Sequence, residues 1–118
     1  SIQAFSQRSG ENPDGWGLAW YPDRSLAMIK QPVRWSVQHN EFLEHYPGLL
    51  SATYVAHVRH KTVGLTPTHA DTHPFHRELN GREYCFAHNG TLAGDAFWKR
   101  PLGRFKPIGH TDSEYLFC

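Results

Sequence analysis

Phe86-Ala87-His88-Asn89-Gly90-Thr91 is a hydrophobic run that stops at a polar pair with a glycine inside it. Residues Glu83 to Ala87 read as a short buried strand, because β-formers and small apolar residues fall there and Gly81 breaks the chain just before. Such a strand delivers Asn89 and Gly90 to a sheet edge or end. An asparagine side-chain amide and a glycine backbone N–H at adjacent positions can both donate to one developing oxyanion, which is what acyl transfer requires. An Asn-Gly pair is also the commonest short hairpin signal, so the remainder of the chain has to decide between a turn and a site.

Working outward, Trp16 to Tyr21 is aromatic and aliphatic throughout and reads as a strand covered on both faces. It follows the turn chemistry of Asn12-Pro13-Asp14-Gly15. Pro22-Asp23-Arg24 makes a hairpin loop, and Leu26 to Lys30 returns as the partner strand. Ser36 is placed to cap a helix that puts Val37, Phe42, Leu43 and Tyr46 near one face and ends at Pro47-Gly48. Leu50 to Val58 predicts another strand, ending where the polar side chains of His57 to His60 begin. From Lys61 to Arg77 the pattern is that of a loop, with Gly64, Pro67 and Pro74 excluding a continuous helix. Near the other end, Thr111 or Asp112 followed by Glu114 predicts a helix start with acidic groups near its N-terminus.

Length and composition set the frame. A chain of 118 residues suits one domain with one core. A formal charge of +1 offers no basic excess for nucleic acid, and no apolar segment approaches the ~20 residues of a membrane-spanning helix. Two cysteines, Cys85 and Cys118, do not make a disulfide framework, so a reducing cytoplasmic setting is expected. Both ends read as internal to a longer chain, since Ser1 opens without an initiator methionine and Tyr115 to Cys118 is an apolar run.

Three further residue groups carry possible chemistry. His60, His69, His73 and His76 raise the question of a metal, but Pro74 interrupts any helical spacing and no glutamate completes a zinc motif, so we assign no metal site. Arg59, at a strand end, has a planar fork that can hold a carboxylate through two parallel charge-assisted bonds. Asp112 can cap a helix or receive an ammonium group. An arginine for a carboxylate, an aspartate for an ammonium and an Asn-Gly pair for an oxyanion together suit an α-amino acid whose side chain bears a carbonyl.

Asn12-Pro13-Asp14-Gly15-Trp16-Gly17-Leu18-Ala19, Ala56-His57-Val58-Arg59 with Thr62 and Gly64, Thr72-His73-Pro74-Phe75, Phe86 to Leu92, and Gly109-His110-Thr111-Asp112-Ser113-Glu114 resemble, in order, the motifs of the class II glutamine amidotransferases. These are N-terminal nucleophile hydrolases, and the resemblance is closest to the branch not fused to a recognisable synthase. It implies an α+β fold, a four-layer αββα sandwich in which helices cover two stacked antiparallel sheets. It implies that Arg59 binds the glutamine α-carboxylate with Thr62 beside it, that Asp112 holds the α-amino group, that Asn89 and Gly90 form the oxyanion hole, and that His73 lines the pocket. No cofactor is implied. In the family an N-terminal cysteine attacks the side-chain amide and its own α-amine is the base, giving glutamate and ammonia through a thioester. This sequence has no cysteine before Cys85, so the resemblance implies that the nucleophile precedes Ser1 and that residues 1–118 alone are inactive. The expected partners are L-glutamine or a γ-glutamyl amide, with a synthase or acceptor for the ammonia. Two alternatives accompany this reading: hydrolysis of another γ-glutamyl amide by the same site, and a catalytically silent domain that binds glutamine or a partner protein.

Overall fold

The computed structural model describes residues 7–8, 11–36, 41, 43–46, 49–60, 66–92 and 94–118. Its strands are β1 (Trp16–Trp20), β2 (Ala27–Gln31), β3 (Tyr54–Val58), β4 (Phe75–Leu79) and β5 (Arg82–Phe86). Two helices follow, α1 (Asp95–Trp98) and α2 (Asp112–Phe117). The strands form two antiparallel sheets, one ordered β2-β1-β3 and the other β4-β5.

β1 is the central strand and all five of its residues are buried, as an aromatic and aliphatic run without polar alternation predicts. Its two faces do different things. Trp16, Leu18 and Trp20 share one face and form the core with Trp35 and Leu43, with Ala27, Ile29, Leu49 and Val58 packed around them. Trp16 meets Trp35 edge-on at 4.5 Å between ring centroids, a favoured geometry because the positive edge of one ring meets the negative face of the other. Gly17 lies on the opposite face, so close to the next layer that a Cβ there would stand 2.0 Å from the His73 carbonyl oxygen. The absence of a side chain at position 17 lets the His73-Pro74 backbone lie directly on β1.

The β1–β2 hairpin forms as expected, with Asp23 Oδ1 accepting from the Ser25 N–H at 2.7 Å in the loop. Bonds from this hairpin tie the two sheets together. The Tyr21 hydroxyl donates to the Glu83 carbonyl at 3.0 Å, the Leu26 N–H donates to Glu83 Oε2 at 2.6 Å, and Lys30 Nζ donates to the Thr72 carbonyl at 2.8 Å. On the β4-β5 sheet, Arg77 reaches Glu114 of α2 at 2.6 Å and Phe86 stacks on Phe117 at 5.2 Å.

Several expectations need correction. β3 begins at Tyr54, not Leu50, which is 76% exposed. Ser51 and Tyr54 instead close a local turn, with Ser51 Oγ donating to the Thr53 carbonyl at 2.9 Å and the Tyr54 hydroxyl to the Leu49 carbonyl at 3.0 Å, and such side-chain bonds compete with a sheet ladder. The loop expected from Lys61 to Arg77 gives way at Phe75 to β4, whose polar middle His76-Arg77-Glu78 hides its strand character. β5 is not fully buried: Arg82 and Tyr84 are exposed on one face while Glu83 and Cys85 are half-buried on the other. The turn between β4 and β5 is Asn80-Gly81, with φ of 54° and 73°, the positive pair that a tight hairpin demands. It is therefore this Asn-Gly pair, and not Asn89-Gly90, that serves as a hairpin turn; no strand follows Gly90 among the described residues. The helix expected from Ser36 lies largely outside the described residues, including Val37, Phe42 and Pro47-Gly48, although Glu41, Leu43 and Glu44 are helical.

Candidate active site

A cleft of about 390 Å³ opens where β3 and β5 end and α2 begins. Arg59 reaches it from the residue after β3. Its backbone is held on both sides, the Arg59 N–H donating to the Gly15 carbonyl at 2.8 Å and the Asp14 N–H donating to the Arg59 carbonyl at 3.1 Å. The β1–β3 pairing thus runs one step past the strands and draws the Asn12 turn to the cleft rim.

β5 is followed by Ala87 and His88, whose Nδ1 lies 3.1 Å from Ser113 Oγ, and then by Asn89 and Gly90, both lining the cleft. Gly90 has φ of 119°, which side-chain-bearing residues rarely adopt, while nothing crowds the space a Cβ would fill. The requirement for glycine there is conformational. From the third direction, α2 starts at Thr111, whose hydroxyl accepts from the Glu114 N–H at 3.1 Å as an N-cap. Asp112 follows, with Oδ2 accepting from the Leu92 N–H at 2.5 Å and Oδ1 from the Ser113 N–H at 2.7 Å. Its carboxylate closes the 89–92 loop onto α2; Oδ1 also accepts from the Ser113 hydroxyl at 3.2 Å, while Oδ2 retains a lone pair for another donor. The helix is tied down from behind by Glu114, which accepts from the Ile108 and Gly109 N–H groups at 3.1 and 2.7 Å as well as from Arg77. Burial raises the Glu114 pKa, but these donors outweigh it and hold the carboxyl below its usual range.

His73 comes in on the segment resting on Gly17 and is 5% exposed. Its ring lies 4.2 Å from that of His57 and 4.6 Å from that of Phe75. Burial first, and then the positive potential of His57, Arg59, His88 and Lys30, push its pKa down to about 3. His57 is also pushed below its ordinary value, chiefly by burial, although the Asn89 side chain and the His88 backbone act against that. The floor of the cleft is thus two neutral imidazoles, with a guanidinium on one side and a carboxylate on another.

Of the residues singled out in the sequence, Arg59, His73, Asn89, Gly90 and Asp112 line this one cleft, and Thr62 lies outside the described residues. His57, His88 and Asn12 line it too and carried no assigned role in the sequence. A polar residue inside the apolar run of β3 was the available signal for His57. Among the described residues lining the cleft there is no cysteine. Cys85 is half-buried in β5 and its thiol is pushed up by burial to about 11, as expected of an inert strand cysteine. No group of histidine, cysteine and carboxylate residues suited to a metal occurs among the described residues, and no helix among them is long and apolar enough to cross a membrane.

Chemically, such a cleft suits a zwitterionic amino acid that presents a carbonyl to amide donors, and comparison with known proteins gives that class a family. The profile of the class II glutamine amidotransferases matches residues 1–118. The chain belongs to this family. It is 39% identical over its full length to an uncharacterised protein of Methanocaldococcus jannaschii, and 37% identical over 111 residues to an Escherichia coli protein with a provisional glutamine amidotransferase name. These matches cover 32% and 42% of the two relatives, so the chain spans less than half of their length. Among solved structures it is similar to a Pseudomonas aeruginosa protein described as a predicted glutamine amidotransferase, with a TM-score of 0.62 and 36% identity over 89% of this chain and 40% of that one.

Proposed function

We propose that this chain is the glutamine-recognising part of an enzyme that cleaves the side-chain amide of glutamine. The observation that carries the proposal is the convergence of Arg59, Asp112 and Asn89-Gly90, from the ends of β3, α2 and β5, on one cleft. Arg59 holds the α-carboxylate, with Thr62 beside it, Asp112 holds the α-ammonium, and His73 walls the side-chain path. The attacking group is the thiolate of an N-terminal cysteine. It adds to the amide carbon, and the carbonyl oxygen becomes an oxyanion that Asn89 Nδ2 and the Gly90 N–H stabilise. The cysteine's α-amine, titrating near ~7.7–8, takes the thiol proton and gives it to the departing nitrogen, which leaves as ammonia. Water then cleaves the thioester to glutamate, so glutamine and water become glutamate and ammonia.

The four-layer αββα arrangement belongs to the same proposal. It is supported by Glu83 bonding back to the β1–β2 hairpin while Arg77, which the register puts on the opposite face of the β4-β5 sheet, bonds to α2.

The test is glutaminase turnover by the full-length protein and its Asn89→Ala variant. Loss of one oxyanion donor is expected to lower kcat about 10²–10³-fold, or roughly 2.7–4 kcal/mol, with glutamine affinity nearly kept. An unchanged rate would remove Asn89 from the chemistry. Glutamine compared with larger γ-glutamyl amides identifies the preferred leaving group. An electrophilic glutamine analogue that labels no N-terminal cysteine on a correctly processed chain would favour a silent binding domain.

A further inference from the structure

Oxyanion donors act at a fixed distance, and displacing such a group by about 1 Å costs on the order of 10²-fold in rate. Asn89 and Gly90 are both exposed on the cleft rim, so burial does not hold them. The helix beside them does. The 86–92 segment is pinned to α2 at three points: Phe86 stacks on Phe117 at 5.2 Å, His88 Nδ1 lies 3.1 Å from Ser113 Oγ, and the Leu92 N–H donates to Asp112 Oδ2 at 2.5 Å. His88 and Leu92 are the pins nearest the pair, one on each side of it.

The His88 pin stands on fixed ground. Ser113 is 2% exposed and belongs to the first turn of α2, which Thr111 caps and Glu114 ties to Ile108, Gly109 and Arg77. The Ser113 hydroxyl donates to Asp112 Oδ1 at 3.2 Å, and because a carboxylate only accepts, the hydroxyl hydrogen is committed there. Ser113 Oγ therefore meets His88 as an acceptor, and the ring carries a proton on Nδ1. The same ring lies against the glycine, since a Cβ on Gly90 would stand 3.6 Å from both His88 Cε1 and Nε2. One hydrogen-bonded chain thus runs from the Asp112 carboxylate through Ser113 to the residue that precedes the Asn89-Gly90 pair.

We propose that His88, donating from Nδ1 to Ser113, is the positioning residue that holds Asn89 and Gly90 in register with α2, and so sets the oxyanion donors at a fixed distance from a substrate held by Asp112. This rests on the glutamine-cleaving reading above. His88 touches no reacting atom; it acts through the backbone of the two residues that follow it.

The experiment is a double-mutant cycle in the full-length protein, reading kcat and KM for glutamine in His88→Phe, His88→Asn, Ser113→Ala and the His88→Phe/Ser113→Ala pair. Phenylalanine keeps a ring without a donor, and asparagine restores an N–H at about the reach of Nδ1. The expected result is a kcat loss of about 10-fold or more in His88→Phe with KM nearly kept, recovery in His88→Asn, and no further loss when Ser113→Ala is added to His88→Phe. Equal losses in the phenylalanine and asparagine variants, losses that multiply in the pair, or a change confined to KM would overturn the proposal. If His88→Phe does not fold, the ¹⁵N resonances of the wild-type His88 ring decide the matter: a protonated Nδ1 supports the proposal, and a bare Nδ1 overturns it. Failure of the parent reading is separate, since it appears as undiminished turnover in Asn89→Ala.

Discussion

In the proposed site, Arg59 is a side chain prepared for recognition before any ligand arrives. Its backbone is locked to Gly15 and Asp14, so the guanidinium swings from a fixed root and less conformational entropy is lost when it engages a carboxylate. A lysine at the same root would keep the charge and lose the fork. Arg59→Lys is therefore expected to weaken glutamine binding by roughly 10-fold or more, the equivalent of one charge-assisted bond at about 1.5–3 kcal/mol, with a smaller change in kcat. Calorimetric titration of the full-length protein measures it, and an unchanged Kd would assign Arg59 to surface charge. Asp112 is held differently: Thr111, not Asp112, caps α2, and the Asp112 carboxylate instead holds the Leu92 and Ser113 N–H groups. That Arg59 and Asp112 carry charge into a site was legible from residue type and placement. That His57 joins the same cleft was not, because in the sequence it is one polar letter in a strand, and only the fold stacks it on His73 there.

At the scale of elements, the site depends on how closely the His73-Pro74 segment can approach β1. Gly17 makes that approach possible. A methyl group there meets backbone and a proline ring, neither of which can swing away, so Gly17→Ala is expected to destabilise by about 1–3 kcal/mol or more through overpacking and to displace His73 from the cleft. Urea unfolding and glutamine affinity measured on the same samples check both parts; wild-type values for both would show that the layers can separate at no cost. β1 and β2 were readable because a run of aromatic and aliphatic residues bounded by Asn-Pro-Asp-Gly and Pro-Asp-Arg has few other solutions. β4 was not, since His76, Arg77 and Glu78 carry no strand periodicity of their own. Their partners are long-range: Arg77 pairs with Glu114, 37 residues away, and a local window cannot contain that reason.

The whole molecule carries an acid liability that follows from its cleft. His73 titrates near 3 in the folded chain and near 6.5 when unfolded, so between those values the unfolded state binds the extra proton. Folding stability should therefore fall as pH drops from about 6.5 toward 3, by up to roughly 1.4 kcal/mol per pH unit from this residue, and the loss is complete below 3. The lowered pKa of Glu114 acts in the same direction at the acid end, since stability present above its unfolded value near 4.5 is lost as pH falls through the folded one. His73→Gln is expected to flatten the slope between pH 6.5 and 5, where Glu114 remains ionised, and thermal midpoints across that range test it. An unaltered slope would mean that the His73 ring is protonated in the folded state.

By itself the sequence determined the β1–β2 hairpin, the capped start of α2, and the charged and amide residue types that line the cleft, because turn chemistry, capping and ionic character are local properties. Only the tertiary structure decided which Asn-Gly pair is a turn. Asn80-Gly81 closes a hairpin because β4 and β5 pair around it, and Asn89-Gly90 faces a cleft because β3 ends and α2 begins beside it. The two dipeptides are the same in covalent terms; burial and long-range partners separate them.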